Sequence, residues 1–377
     1  MPRTDRRRVA VRLACAALAA CAAVASSAPT AAAQGGVLLQ GIADGELWST
    51  NRTSNLLTRN DGRLGEVGRL QLWGAYEPFK GIVVYAQVRA EGGSASVDTA
   101  QGRVYSEQFG VRYAGSQAFG VDAGRLTPVV GTFAARRLST RNPLIGAPDG
   151  YSLIYPLGVE VSGEVPHFDY RAAIVSLPIY HEVYVPDPTA RPRPAIGAGF
   201  TPITGLRIGG SFTVGSYLNG DYSGAALFGK PWSSYDQRVL ALDFAYAVGY
   251  LETHAEYARG SYDVPGLATS VAGPTYYGEA KYTFSPRFFA AVRAERNDYP
   301  FIRFLGTTWV AKLTDFVNGE AGVGYRLSAS TLLKVSWRGD RWWIAPGTPG
   351  FLGTGGHALA FQWSQSFDAL SWFQRAQ

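Results

Sequence analysis

The amino-acid sequence predicts an all-β protein, a transmembrane up-and-down antiparallel barrel of about sixteen strands, and three observations carry that expectation. From about Val37 to Phe367 apolar residues alternate with small or polar ones in runs of roughly ten residues, the length a tilted strand needs to cross a bilayer. The gaps between runs are alternately very short and long. Charge falls on one face in strand after strand. Period-two alternation with both faces occupied is what a sheet in lipid with a watery interior requires.

The first residues indicate where such a sheet is built. Arg3, Arg6, Arg7, Arg8 and Arg12 precede a short apolar run from Leu13 to Val24, and Ala31-Ala32-Ala33 before Gln34 reads as a small-residue cleavage site. Residues 1–33 are therefore expected to be a cleaved export signal, with residues 34–377 forming the barrel. A run of about twelve apolar residues is too short to anchor in a bilayer. Leu18-Ala19-Ala20-Cys21 offers a second processing route, a lipobox that would leave Cys21 lipidated, although Arg12 would then lie inside an already short hydrophobic region. Both cysteines, Cys15 and Cys21, lie in the leader, so cleavage after Ala33 leaves no thiol for a disulfide, a metal or catalysis.

Composition excludes other classes. Hydrophobic residues make up 46% of the chain and charged ones 17%, yet no segment after the leader approaches the run of about eighteen apolar residues a transmembrane helix needs. Forty-five glycines, 21 tyrosines and nine tryptophans against one methionine suit strands, tight turns and aromatic girdles. The net charge of +6 does not signal nucleic-acid binding, because the leader's five arginines and Asp5 account for +4 of it and leave the rest of the chain close to neutral.

The elements follow in order. Tyr276 to Phe284, then Ser285-Pro286-Arg287, then Phe288 to Asn297 is the repeating unit: strand, tight turn, strand. Strands are expected near 37–48, 66–76, 81–91, 104–114, 117–126, 157–164, 167–176 and 193–201. The second half supplies 206–217, 238–247, 249–260, 275–284, 287–297, 316–327, 331–343 and 356–368. Glu77-Pro78-Phe79-Lys80, Gly115-Ser116, Val165-Pro166, Pro202 to Gly205, Val248-Gly249, Ser285-Pro286 and Ser328 to Ser330 join alternate pairs tightly. Short turns at one end and long loops at the other are the periplasmic and extracellular ends of an outer-membrane barrel. Within a strand, Val83, Tyr85, Gln87, Arg89 and Glu91 oppose Ile82, Val84, Ala86, Val88 and Ala90; Lys334, Ser336, Arg338 and Asp340 oppose Leu333, Val335 and Trp337. An ionised group at the lipid midplane costs about 2–4 kcal/mol, so the charged faces should look inward. A barrel of about sixteen strands leaves room there for water.

With strand number, leader and alternating loops in place, the chain resembles the outer-membrane porins of Gram-negative bacteria. A local likeness runs from Gly120 to Pro128, through Asn142-Pro143, to Gly158–Gly163 and Asp169–Ala173, and looks like the porin stretch, the phosphate-selective type included, that leaves a strand, enters the third loop and returns. The chain departs from the pattern at its end, Trp372-Phe373-Gln374-Arg375-Ala376-Gln377, where a terminal Phe is missing and Phe367 or Phe373 would have to serve assembly. The resemblance implies passive diffusion of small hydrophilic solutes across the outer membrane, no enzymatic activity, no cofactor or metal, and a homotrimer in the lipid bilayer. A non-conducting structural or adhesion barrel that binds through its loops is the alternative, with an outer-membrane hydrolase behind it.

In porins the third loop folds inward and narrows the lumen, which places the constriction of this chain in 127–156. Arg136, Arg137, Arg141 and Asp149 would then sit there, the arginines as a cationic cluster. Lumen-wall positions include Arg69, Arg89, Arg112, Arg171, Arg207, Arg293, Arg326 and Arg338, with Glu279 and Lys281. A ring of cations would favour anions. Glu91, Asp122, Glu160, Glu256, Glu295 and Glu320 on the same walls offer the other reading, cross-strand ion pairing.

Catalysis has little to work with. His254 lies between Glu252 and Glu256 on one expected lumen face, but no Gly-x-Ser-x-Gly or His-Glu-x-x-His pattern accompanies it, and His167, His181 and His357 are scattered. Gly353-Thr354-Gly355-Gly356 has no following helix to bind phosphate and reads as a loop tip. Trp48, Trp73, Trp337, Trp342, Trp343, Trp363 and Trp372 fall near strand ends and are expected to form the interfacial belts. Tyr180 to Pro188 is a Pro-rich loop.

Overall fold

The computed structural model describes residues 36–52, 60–95, 103–149, 155–176, 191–218, 229–298, 302–304, 308–310, 315–343 and 355–369. The export leader with Cys21, the Tyr180–Pro188 loop, Trp372 and Phe373 lie outside the described residues. The wall begins with β1 (Val37–Thr50), β2 (Gly65–Phe79), β3 (Ile82–Gly92) and β4 (Arg103–Ser116). It continues through β5 (Phe119–Arg125), β6 (Leu157–Val165), β7 (Phe168–Val175) and β8 (Arg193–Ile203). Next come β9 (Leu206–Ser216), β10 (Asp236–Val248), β11 (Leu251–Tyr262), β12 (Val271–Thr283) and β13 (Phe288–Asn297). Two short strands, β14 (Ile302–Phe304) and β15 (Thr308–Val310), pair with each other outside the wall, which β16 (Asp315–Arg326), β17 (Thr331–Trp343) and β18 (Gly355–Asp368) complete.

The sixteen wall strands form one closed antiparallel barrel, each beside its neighbour in sequence, with β1 paired to β18 from Gln40 opposite Asp368 to Thr50 opposite Ala358. The sixteen segments read from the alternation are these sixteen strands, with ends shifted by a few residues. The β14–β15 pair was not foreseen, since three residues are too few for a period of two to register. Turn chemistry explains the tight connections. Gly205 has φ of 87°, and a Cβ there would lie 2.2 Å from the Ala247 carbonyl oxygen. At the next turn back His167 takes φ of 64° and places Nδ1 2.8 Å from the Thr201 carbonyl oxygen. The Glu77 carboxylate accepts the Gly81 backbone N–H at 2.7 Å and so holds the β2–β3 turn.

Alternation sorts the side chains as the sequence requires. Ile196, Ile208, Leu242 and Val335 are exposed on the outside, whereas Ser211, Thr213, Lys334, Ser336, Gln362 and Ser364 point inward and are buried. Three tryptophans are corrected, Trp342 among them: on β17 it shares the inward parity of Arg338 and Asp340, and its indole nitrogen is buried. Trp48 is buried inside the barrel against Val67, Ala358 and Ala360 and donates its indole N–H to Glu46 at 2.8 Å. Trp73 also points inward and donates to Gln40 Oε1 at 3.1 Å. Their parity on the strand outweighs their position near its end, and a lumen acceptor satisfies the N–H of Trp48 and of Trp73. Trp337, Trp343 and Trp363 are exposed on the outer face.

Leu242, mid-strand on the outer face of β10, tests the inside-out arrangement. Leu242→Arg should lower refolding stability in lipid vesicles by about 2–4 kcal/mol. An unchanged denaturation midpoint would mean that residue 242 does not meet lipid.

Candidate constriction site in the barrel lumen

The site is built by the chain between β5 and β6. β5 is short and stops at Arg125, β6 starts at Leu157, and the Leu126 N–H donates to the Pro156 carbonyl at 2.8 Å across the gap. From there the loop turns into the lumen. Arg171 on β7 donates to the carbonyls of Pro128 (3.3 Å) and Val129 (3.1 Å), and Val129 packs on Ala173, Val175 and Ala195. The Gly131 N–H then reaches Ser211 Oγ at 3.3 Å. Thr132 donates from its backbone (3.0 Å) and its hydroxyl (2.6 Å) to the two oxygens of Glu256 on β11. Val130 and Phe133 bury themselves against Val239, Ala241, Ala258 and Tyr277. These apolar inward-facing residues form a landing pad on a wall that is otherwise polar.

A single 3-10 turn, Phe133–Arg136, sends its last side chain, Arg136, and that of its C-cap, Arg137, to different walls. Arg136 donates to Glu279 Oε1 at 2.8 Å and to the Tyr277 hydroxyl at 3.0 Å on β12. Burial pulls the Arg136 pKa down, but Tyr277, Glu279 and Glu256 more than offset it, so the guanidinium is held above its ordinary value. Arg137 instead pairs with Glu107 on β4 and lies over the Tyr155 ring, 4.7 Å from its centroid. Glu107 is fully buried and also accepts from Gln71 (3.2 Å), Gln87 (2.6 Å) and Arg89 (3.3 Å). Arg141 is exposed and donates to the Ala135 carbonyl at 3.3 Å. Asp149 pairs with Arg338 on β17, and its N–H donates to Glu295 at 2.9 Å. The expected cationic cluster is therefore divided: Arg136 and Arg137 are neutralised at separate walls, and Arg141 stands apart.

The rest of the loop is gripped through its backbone. Lys334 on β17 is buried and donates to three loop carbonyls, Ser139 (2.8 Å), Asn142 (3.0 Å) and Leu144 (2.9 Å). Glu320 on β16 accepts the N–H groups of Ile145 (3.1 Å) and Gly146 (2.9 Å). Arg293 on β13 donates to the Gly146 carbonyl (2.8 Å) and Asn142 Oδ1 (2.7 Å) while pairing with Glu279. A Cβ at Gly146 would sit 2.5 Å from Glu320 Oε2, which is why glycine occupies this close approach. Lys334, Glu320, Glu256 and Asn142 were not singled out as site residues from sequence. The first three were legible as inward-facing charges, but which backbone atoms they hold depends on the loop's path.

The predicted wall residues are mostly paired. Arg69 reaches Glu46 (2.8 Å), Glu91 (2.9 Å) and Asp44 (3.6 Å); Arg89 joins Glu91 and Glu107. Arg112 bonds Asp122 at 2.8 Å, Arg207 bridges Asp169 and Asp243, and Lys281 bonds Glu252 at 2.7 Å. Arg326 lies exposed at the short-turn end of β16. His254 faces Glu279 across the β11–β12 pair, and the acids flanking it are occupied, Glu252 by Lys281 and Glu256 by Thr132 and Tyr277.

Lys334 holds the most loop backbone of any one side chain described here. Hydrogen bonds from a charged donor contribute about 1.5–3 kcal/mol each, so Lys334→Met should release the 139–144 segment. Its amides should exchange roughly a hundredfold faster by hydrogen-exchange mass spectrometry, with the barrel unchanged. Exchange equal to that of the parent would show that the apolar pad alone fixes the loop.

No protein-family model and no curated protein sequence matches the chain. Solved structures do. A complex of OmpF from Salmonella typhi with daunomycin is 13% identical with a TM-score of 0.59, over 88% of this chain and 97% of that one. An anion-selective porin from Comamonas acidovorans is 13% identical, TM-score 0.59, over 89% and 100%. A loop L8 deletion mutant of OmpT, an outer membrane protein of Vibrio cholerae, is 10% identical, TM-score 0.58, over 88% and 99%. At these identities the likeness is one of architecture, and with the closed sixteen-stranded wall it establishes that this chain has the fold of a Gram-negative outer-membrane porin.

Proposed function

We propose that the protein is an outer-membrane porin through which small hydrophilic solutes diffuse passively, exported by the leader at residues 1–33 and requiring no cofactor or metal. The reading is supported above all by the wall itself: sixteen strands in a closed ring, apolar outward and charged inward, a diameter at which barrels hold water. The loop 127–156 is the element we assign to constriction, with Arg136, Arg137, Arg141 and Asp149 in its path. Because Arg136, Arg137, Arg69, Arg207 and Arg293 each have a carboxylate partner, the passage should discriminate weakly between anions and cations. Three copies in the lipid of the outer membrane are the assembly we expect, and chemical cross-linking in native membranes checks it.

One observation favours a second reading. The loop is tied to β4 through Arg137 and Glu107 and also to β13, β16 and β17 through Arg293, Glu320 and Lys334, so it bridges separate parts of the wall. A loop held on both sides could close the lumen and leave a structural barrel that binds through its outer loops. The hydrolase reading has less support, since both acids beside His254 are engaged elsewhere.

Single-channel conductance of the refolded mature chain in a planar bilayer separates these readings. The porin should give stable, large steps with a small reversal potential under a salt gradient. Glu107→Gln should raise conductance by freeing one anchor of the loop, and His254→Ala should leave it nearly unchanged. Folded, heat-modifiable protein that inserts and passes no current would sink the porin and support the closed barrel.

A further inference from the structure

At the short-turn end of the lumen a pocket of about 170 Å³ opens beneath the loop, between Leu138–Arg141 and the wall of β1, β2, β16, β17 and β18. Two guanidinium groups line it, Arg141 from the loop and Arg326 from the wall, and none of its lining residues is acidic. Elsewhere in the lumen Arg69, Arg112, Arg207 and Arg293 each have a carboxylate within reach, and Arg171 and Arg193 spend their N–H groups on backbone carbonyls and a hydroxyl. Among the described residues neither Arg141 nor Arg326 forms an ion pair; Arg141 spends one N–H on the Ala135 carbonyl. Two arginines without a counter-charge, facing a cavity rather than a carboxylate, form an anion site short of its anion.

The remaining lining has a second chemistry. Ile42 and Leu332 are buried, Leu138 closes one side, and Trp73 presents an indole fixed by its hydrogen bond to Gln40. Ser330 and Ser366 also line it, the Ser366 hydroxyl donating to the Ser330 carbonyl at 3.3 Å. A bare phosphate would satisfy the arginines but leave this apolar wall uncovered, and it would give up a large hydration shell to do so. A cavity of about 150 Å³ accommodates a single aromatic ring.

We propose that this pocket binds a small organic monocarboxylate carrying one compact apolar group, of benzoate size. Arg141 and Arg326 take the carboxylate, and Trp73, Ile42 and Leu138 take the apolar part. The site uses the inward fold of the loop, which supplies Leu138 and Arg141, but it does not depend on whether the barrel conducts, because it opens to the short-turn mouth through exposed residues.

Equilibrium dialysis of benzoate against the folded mature protein in detergent, with empty micelles subtracted, tests it without any ion current. Saturable binding is expected, and Arg141→Gln and Arg326→Gln should each weaken it by roughly fivefold, since both groups are exposed. Trp73→Ala should weaken it comparably, while Lys80→Gln, which removes a positive charge from a neighbouring turn, should not. Arg326→Lys, which keeps the charge but loses the planar fork, should fall between parent and Gln. The proposal is overturned if the Arg141→Gln, Arg326→Gln double variant binds benzoate as tightly as the parent. It is equally overturned if acetate or inorganic phosphate binds as tightly as benzoate, which would reduce the pocket to a generic cationic surface, or if benzyl alcohol does, which would leave the arginines without a role. Failure of the bilayer experiment with intact benzoate binding would sink the porin and leave this site standing.

Discussion

The pairing of the first strand with the last is the constraint on which the rest depends. Lipid offers no hydrogen-bond partner to a peptide group, so a sheet that crosses a membrane must have no free edge. Here the edge is closed by β1 and β18, whose register runs from Gln40–Asp368 to Thr50–Ala358. Closure of a meandering antiparallel sheet fixes an even number of strands and brings the start of β1 and the end of β18 to the side of the short turns. It also fixes which face of each strand is inside, because one slip in register would carry every charged residue into lipid.

Once closed, the barrel has an interior with the opposite problem. Carboxylates and guanidinium groups project from all sides into a space that the loop enters, and charges withdrawn from water are costly unless matched. The structure matches them in two ways. Neighbouring strands pair their own charges, as Arg207 does with Asp169 and Asp243, and Arg293 with Glu279. Elsewhere the partner is the loop backbone: Lys334 takes three carbonyls and Glu320 two amides. A loop in such a place solves its own difficulty too, since its peptide groups have no sheet to join and find charged side chains instead. Loop and wall thus complete one another, and either alone would carry unmatched polar groups.

The strands were legible because three signals coincide in them: a period of two, breakers such as Pro166, Gly205 and Pro286 between pairs, and charge confined to one parity. The inward parity of Lys334, Glu320 and Arg293 followed from the same pattern, so the side chains that grip the loop were visible. Their partners were not. Arg136 and Arg137 are adjacent in sequence and look like one cluster, yet a 3-10 turn sends one to β12 and the other to β4. Trp48 and Trp73 looked interfacial by their nearness to strand ends and proved to be inside, because parity decides which face a side chain occupies and nearness to an end does not.

The sequence by itself determined the architecture: a barrel in lipid needs only local alternation and tight turns, and both are local properties readable residue by residue. Only the tertiary structure decided how the lumen is organised. Glu107 meets Arg137, Lys334 meets Ser139, and Arg326 and Arg141 line one pocket because strands far apart in the chain are brought to one ring and a loop is laid between them. Those distances depend on register and on the course of the loop, quantities that no single stretch of sequence contains.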